Sequence, residues 1–349
     1  VEPLALKSEA KGAVAARLSR TGEWVGPVVV RVAGHNAGHT AYDDEGRPWA
    51  LRTIPVAVVN PDAQLVIAAG SEVHIDVLRS EITALEDAGI DVRHRLLIDP
   101  AATWLEDRHI EAEGGLRMHE RTGSTGKGVG AARADRVMRV ARTIGEWDEL
   151  GQWCKPTATG PYLRGLARYP NAHVILEGTQ GYGLGVHTSF YPLTTSSDCR
   201  AIDFLAMAGI DPTAFDEYEV WVVMRRFPIR VAGPSGPLKG ETTWEDLGLE
   251  TELTTVTKKP RRVGEWDGAL AAEAVEANGG PRVVKIAFTM MDQAIPGVAG
   301  CDGPLLEALA DVDIDVQRAY ASMISMVESD TGALVHLVGT GPNSMVVQR

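Results

Sequence analysis

Cysteine is scarce in this chain of 349 residues, positive charge is in deficit, and long apolar runs are missing. Cys154, Cys199 and Cys301 stand far apart with no CxxC spacing, which argues against a disulfide framework or a zinc site and suits a reducing compartment. Lys and Arg number 34 against 47 Asp and Glu, a formal net charge of −13. A nucleic-acid binder draws affinity from cations that neutralise phosphates, so no nucleic-acid partner is expected. A small anion held by local positive charge remains compatible. No apolar run approaches a membrane span, and VEPLALKSEAKG carries no basic segment followed by an apolar one. A cytoplasmic setting without a membrane partner is therefore expected. Internal repeats, low-complexity tracts and Pro/Ser linkers are also missing, so one elaborated α/β catalytic domain over 1–349 is expected.

What is present is a succession of apolar, β-branched runs: 28–33, 64–69, 173–178, 218–224, 282–288 and 333–339. Runs with few polar breaks suit strands covered on both faces. Helix-like stretches lie between several of them, at 75–88, 129–143, 200–208, 267–277 and 314–327. This alternation predicts an α/β fold, a mostly parallel central sheet with helices on both faces. Ligands of such sheets sit at the carboxyl ends of the strands, which directs attention to the loops there.

KSEAKG (7–12) leads into a helix-like AVAARLSR, a setting in which backbone N–H groups and the helix dipole favour an anion, with Lys11 and Gly12 suited to it. GHNAGHT (34–40) follows the first apolar run and offers flexible backbone amides and His39 to an anion. His35 and His39 are four apart, but the glycines argue against a helix and so against zinc. GSTGKGVGAA (123–132) resembles a P-loop superficially and departs from GxxxxGK[ST] because Gly128 follows Lys127. Ser124 or Thr125 remain able to donate hydroxyls to a phosphate. EGTQGYGLGVHTSFYPLTTSSDCR (177–200) is dense in short donors and acceptors, and Gln180 suits a base edge because its amide both donates and accepts. TTVTKKPRR (254–262) sets four cations beside three threonines, a match for a dicarboxylate as well as for a solvated basic patch. GTGPNS (339–344) is a tight turn able to border a purine.

In this order the segments resemble those of adenylosuccinate synthetases, which carry GDEGKGK, NNAGHT, TTGRGIGP, EGAQG with YPxVTSS, TTGRxRR and STGP. Here they read KSEAKG, HNAGHT, STGKGVGA, EGTQG with YPLTTSS, TVTKKPRR and GTGP, over about residues 7 to 342. The resemblance implies a fold of that family, related to P-loop NTPases, a homodimer and Mg²⁺. It implies transfer of a nucleotide's γ-phosphoryl to the purine O6, then attack of the aspartate amine at C6. His39 would donate to the moving phosphoryl. Lys11, Gly12, Gly38 and Thr40 would cradle the donor nucleotide, with the Gly38 carbonyl and Ser8 on Mg²⁺. Lys285 and Thr340, Gly341 and Pro342 would border the donor base. Asn36, Thr125, Gln180, Thr195 and Arg230 would hold the acceptor nucleotide, joined by Arg139 from the partner subunit. Thr255, Thr257, Lys259 and Arg261 would hold aspartate, with Lys259 in place of a family Arg and without its fork.

The departures narrow the expectation. Ser8 stands where the family has the Asp that takes the N1 proton, and KIA (285–287) reads as the family's KLD triplet with Ala287 in place of the acid that pairs with guanine. Both features, with the shorter chain, resemble the bacteriophage branch that makes N6-succino-2-amino-2′-deoxyadenylate from dGMP, L-aspartate and ATP or dATP, in the host cytoplasm. Ser8 leaves room for the guanine 2-amino group next to N1. Ser8 is no base at neutral pH, so it orients N1–H while water, a phosphate oxygen or Glu9 takes the proton. Lys7 replaces a family Gly and has no explanation. An ordinary synthetase using inosinate and GTP, or a silent nucleotide-binding regulator, are the alternatives.

Overall fold

The computed structural model describes residues 10–20, 26–32, 34–254 and 258–349. They form two compact units, Lys11–Glu217 and Tyr218–Arg349. Among the described residues no helix is long and apolar enough to cross a membrane.

The first unit is built on a five-stranded sheet in which every pairing is parallel. Val28–Arg31 lies between Gln64–Ile67 and Val174–Glu177, and Leu96–Ile98 and Lys155–Pro156 extend the sheet beyond Gln64–Ile67. Alternate residues of these strands feed two separate cores. Val29, Leu65, Ile67, Leu96 and Ile98 pack on one face with Leu78, Ile82 and Leu85. Those three recur at helical spacing along Ile75–Asp87, so the helix buries one stripe. Val28, Val30, Val66 and Leu97 pack on the other face with Leu163, Phe204, Leu205 and Ala208 from the helices Thr159–Leu166 and Ala201–Ala208. The expected doubly covered, parallel arrangement is present.

The second unit carries another five-stranded sheet, ordered Val220–Arg225, Val284–Thr289, Val335–Gly339, Met345–Val347 and Gly303–Pro304. Its pairings are parallel except between Val335–Gly339 and Met345–Val347. Ile286, Ala287 and Phe288 are fully buried in the middle of it. The helix Ile314–Thr331 starts on Asp313, whose side chain accepts from Asp315 and Val316 N–H, and stops at left-handed Gly332.

Each apolar run expected as a strand contains one, within two residues. The stretch 129–143 is helical only over Val129–Met138, because Arg139 turns left-handed (φ 63°) and ends it. The loop expected over 34–40 is shorter than expected, since His39 already opens the hairpin His39–Tyr42 with Pro48–Leu51.

Candidate functional site

The site in the first unit starts from an arginine inside an apolar strand. Arg31 ends Val28–Arg31 and Glu177 ends the neighbouring Val174–Glu177, in direct register. Arg31 Nη1 donates to Glu177 Oε1 at 2.5 Å, with both side chains only 1% exposed. His39 Nδ1 lies 2.5 Å from the same oxygen and 2.7 Å from Arg31 Nη1. A carboxylate can only accept, so the short contact to Glu177 requires the proton on Nδ1, and Arg31 then serves the carboxylate. Glu177 Oε2 accepts from Val56 N–H at 2.9 Å. Burial opposes the Glu177 charge, but Arg31, the His39 contact and this N–H together hold its carboxyl below the ordinary range. Burial and the Arg31 cation push His39 down to about 4. The ring is therefore neutral, and Nε2 accepts rather than donates; the donor role expected of His39 requires the charged imidazole.

Lys11 and Gly12 open the helix Lys11–Arg20 directly against this group. A Cβ on Gly12 would lie 2.7 Å from His39 Cβ, 2.8 Å from Val56 Cγ1 and 3.2 Å from Thr40 N, so only glycine lets the helix approach. Lys11 is near enough to act electrostatically on both His39 and Cys199. Asn36, Gly38 and Thr40 are half-buried on the adjoining turn and strand. Lys11, Gly12, Gly38, His39 and Thr40 are thus brought together around the head of that helix.

The second glycine-rich loop differs from its expected form. The amides of Gly128 and Gly130, at the mouth of Val129–Met138, already donate to Glu113 Oε2 and Oε1 at 2.9 and 2.8 Å. An internal carboxylate occupies the place where a phosphate would sit on a helix N-terminus. Thr125 and Lys127 are half-buried beside it and would have to hold a phosphate with side chains. Gly130 approaches Ser196, next to Thr195, within 3.5 Å of where a Cβ would stand, so the two loops adjoin. Gln180 follows at the carboxyl end of Val174–Glu177 with φ 57°, a left-handed conformation rare for a side-chain residue, and accepts from Thr179 Oγ1 at 2.7 Å. Arg139 is exposed, flanked by Val137, Met138 and Val140, all more than 60% exposed.

In the second unit, Lys285 requires a correction. It stands one residue into Val284–Thr289, at the amino edge, where Nζ pairs with Glu219 and lies 5.6 Å from the Trp221 ring. The Thr340–Pro342 turn follows Val335–Gly339, and Gly339 adjoins Thr289 at the carboxyl edge. Four residues of strand separate the two, roughly 13 Å, so Lys285 and that turn do not border one base. Ala287, fully buried in the sheet, cannot border a base either. The acid at the carboxyl edge is Asp292, in the first turn of Met291–Ala294 after left-handed Met290. Thr340 is itself fully buried, its hydroxyl donating to the Cys301 carbonyl, which leaves Gly341 and Pro342 at the surface of the turn.

The two described ends of the basic segment pair antiparallel. Thr254 N–H donates to the Lys259 carbonyl and Arg261 N–H to the Glu252 carbonyl, with Lys259 exposed and Arg261 half-buried. This pairing is locked by Glu252, which takes Arg225 Nη2 and Nη1 at 2.8 and 3.0 Å and Gln293 Nε2 at 3.0 Å. Arg230 is buried and donates to the Ser235 carbonyl. Ser8, Lys7, Glu9, Thr255 and Thr257 lie outside the described residues.

Among the described residues no cluster of three His, Cys, Asp or Glu is arranged for a metal. Mg²⁺ takes one or two protein oxygens and otherwise water and substrate phosphates, so a carbonyl on the half-buried Gly38 turn fits it. Sequence reading missed Arg31, Glu177, Glu113 and Asp292. An arginine interrupting VVVRV and an acid closing a strand were the available signals.

Three comparisons bear on this geometry. The family model described as adenylosuccinate synthetase matches residues 8–155 and 157–295. The adenylosuccinate synthetase of Archaeoglobus fulgidus is 33% identical over 96% of this chain and 92% of its own, and that of Pyrococcus horikoshii 34% over 96% and 93%. Among solved structures, the succinoaminodeoxyadenylate synthetase PurZ of cyanophage S-2L, bound to dGMP and to dATP as an energy donor, matches with TM-score 0.77 and 26% identity, over 98% of this chain and 92% of that one. The fully ligated adenylosuccinate synthetase of Plasmodium falciparum shares the fold, with TM-score 0.78 and 19% identity over 99% and 98%.

Proposed function

The chain belongs to the adenylosuccinate synthetase family, a C–N ligase family that joins aspartate to a purine nucleotide, and on that premise we propose that its acceptor is dGMP. The product is N6-succino-2-amino-2′-deoxyadenylate, and ATP or dATP is the phosphoryl donor. The observation that carries the reading is Ser8, a small hydroxyl where the family's acid would crowd the 2-amino group of guanine. The likeness to the cyanophage enzyme supports both the acceptor and an adenine donor. The donor reading rests on that likeness alone, because Ala287 lies inside the sheet.

The bond between the γ-phosphorus and the donor's bridging oxygen breaks as the phosphoryl moves to O6, leaving ADP or dADP, while the N1 proton passes to water, a phosphate oxygen or Glu9. The aspartate amine then attacks C6 and releases a proton to solvent, the C6–O6 bond breaks and phosphate leaves. His39 faces O6 and the moving phosphoryl, while Lys11, Gly12 and Thr40 hold the donor phosphates and Gly341 and Pro342 border the donor base. Asn36, Thr125, Gln180, Thr195 and Arg230 hold dGMP. Arg139 of a second copy completes that site, a homodimer that the exposed Val137, Met138 and Val140 beside it support. Thr255, Thr257, Lys259 and Arg261 hold aspartate. The Gly38 carbonyl and Ser8 would hold Mg²⁺, which would supply charge neutralisation for the transfer.

The archaeal relatives favour a second reading, inosinate as acceptor with GTP. Phosphate release with aspartate and Mg-ATP or Mg-GTP, compared across dGMP, GMP and inosinate, separates the two. Turnover of dGMP without inosinate is expected. Turnover of inosinate alone would return the chain to ordinary adenylosuccinate synthesis.

A further inference from the structure

Arg31 and Glu177 form a buried ion pair at the carboxyl ends of adjacent strands, where an apolar pair would pack without any desolvation cost. Such a pair is weak evidence for stability, and its contacts run outward from the sheet. Arg31 Nη1 holds Glu177, and Nη2 donates to the carbonyls of Ala37 at 2.8 Å and Arg52 at 3.2 Å. Glu177 in turn receives His39 Nδ1 on one oxygen and Val56 N–H on the other. Every link ends on the turn that carries His39, or on the segment against which Gly12 packs.

We propose that Glu177, itself fixed by Arg31, is the positioning residue that holds His39 through Nδ1 and leaves Nε2 to face the substrate. The inference rests on His39 being the reacting group. The carboxylate fixes ring orientation and tautomer together, because acceptance from Nδ1–H at 2.5 Å leaves no other arrangement of the neutral ring. Arg31 adds a second effect. By drawing the Ala37 carbonyl inward it turns the trans peptide so that the Gly38 N–H points the opposite way, outward from the ion pair. One buried pair thereby aims both a ring nitrogen and a backbone donor.

The test uses the full chain with ¹⁵N-labelled histidine, His39 being assigned by comparison with His39→Asn. Long-range ¹⁵N–¹H spectra of the free enzyme should show His39 as the Nδ1–H tautomer; an Nε2–H tautomer overturns the proposal. Glu177→Ala should lower kcat about 10²-fold, the loss that a misplacement of about 1 Å at a reacting group produces, with KM for aspartate changed by less than about threefold. Glu177→Gln keeps an acceptor for Nδ1–H and should keep the tautomer and restore part of kcat. A folded Glu177→Ala with kcat within about twofold of the parent overturns the proposal. The parent spectrum is decisive by itself should removing the carboxylate beside Arg31 unfold the chain. Kinetics are run with whichever purine gives aspartate-dependent phosphate release. Absence of release with every purine would sink the functional reading and leave the tautomer result standing.

Discussion

Replacing Gly12 by alanine sets two expectations against each other. Propensity alone favours alanine in a helix by roughly 0.5–1 kcal/mol. The geometry says otherwise: the added carbon would stand 2.7 Å from His39 Cβ and 2.8 Å from Val56 Cγ1, where apolar carbons rest about 3.5–4.0 Å apart. The helix or the His39 strand must yield by about 1 Å, and overpacking of this kind costs about 1–3 kcal/mol. Overpacking wins, so Gly12→Ala should lower stability by up to about 2 kcal/mol in urea unfolding. The larger effect falls on catalysis. A displacement of about 1 Å at a reacting group is worth about 10²-fold, so single-turnover phosphate release should slow by that order with nucleotide affinity less affected. A variant as stable as the parent, with release within about twofold, would refute the close approach of Gly12 to His39.

Three further substitutions test other parts of the structure. His35 is buried and pushed down to about 3 by burial first, then by His74, Arg52 and Lys127. Its folded value lies below the ordinary 6.5, so the unfolded chain takes up the proton first, and stability is full above about 6.5 and falls as pH drops toward 3. The loss at pH 4.5 is roughly 3 kcal/mol from this group; His35→Gln should lose that much less between pH 7 and 4.5 in urea titrations, and equal losses would exclude His35 as a cause. Ala287→Asp should fail to fold rather than change the donor base, since an unpaired carboxylate buried there costs about 3–5 kcal/mol. Asp292→Asn should stay folded and alter the ratio of ATP to GTP turnover; a folded Ala287→Asp enzyme that gains GTP would restore the sequence reading of that triplet.

The sheets were legible because apolar runs such as VVV at 28–30, unbroken and buried throughout, and VVKIAF at 283–288, broken only by Lys285, suit strands covered on both faces. Leu96–Ile98 escaped because three apolar residues between RHR and DP are too short to show a period. The segments holding His39 and Gln180 were legible from glycine after apolar runs, and that holding Lys11 from a Lys-Gly pair at the head of a helix. The partnership of His39 with Glu177 was not, since the two are 138 positions apart and lie on strands that do not pair, joined by a side-chain contact alone. Lys285 misled for a related reason. A residue pattern within a strand says which face a side chain takes and nothing about which end of the strand the ligand visits, and Lys285 stands at the amino edge.

Glu113 gives the glycine-rich loop at 123–132 a different character from the sequence it resembles. Its carboxylate is bound by the Gly128 and Gly130 amides as an incoming anion would be, so the chain supplies its own anion to that helix end. Such a loop is a receptor with a tethered occupant. What fills that helix end is then decided by a residue lying outside the loop, without a letter of the loop itself being altered.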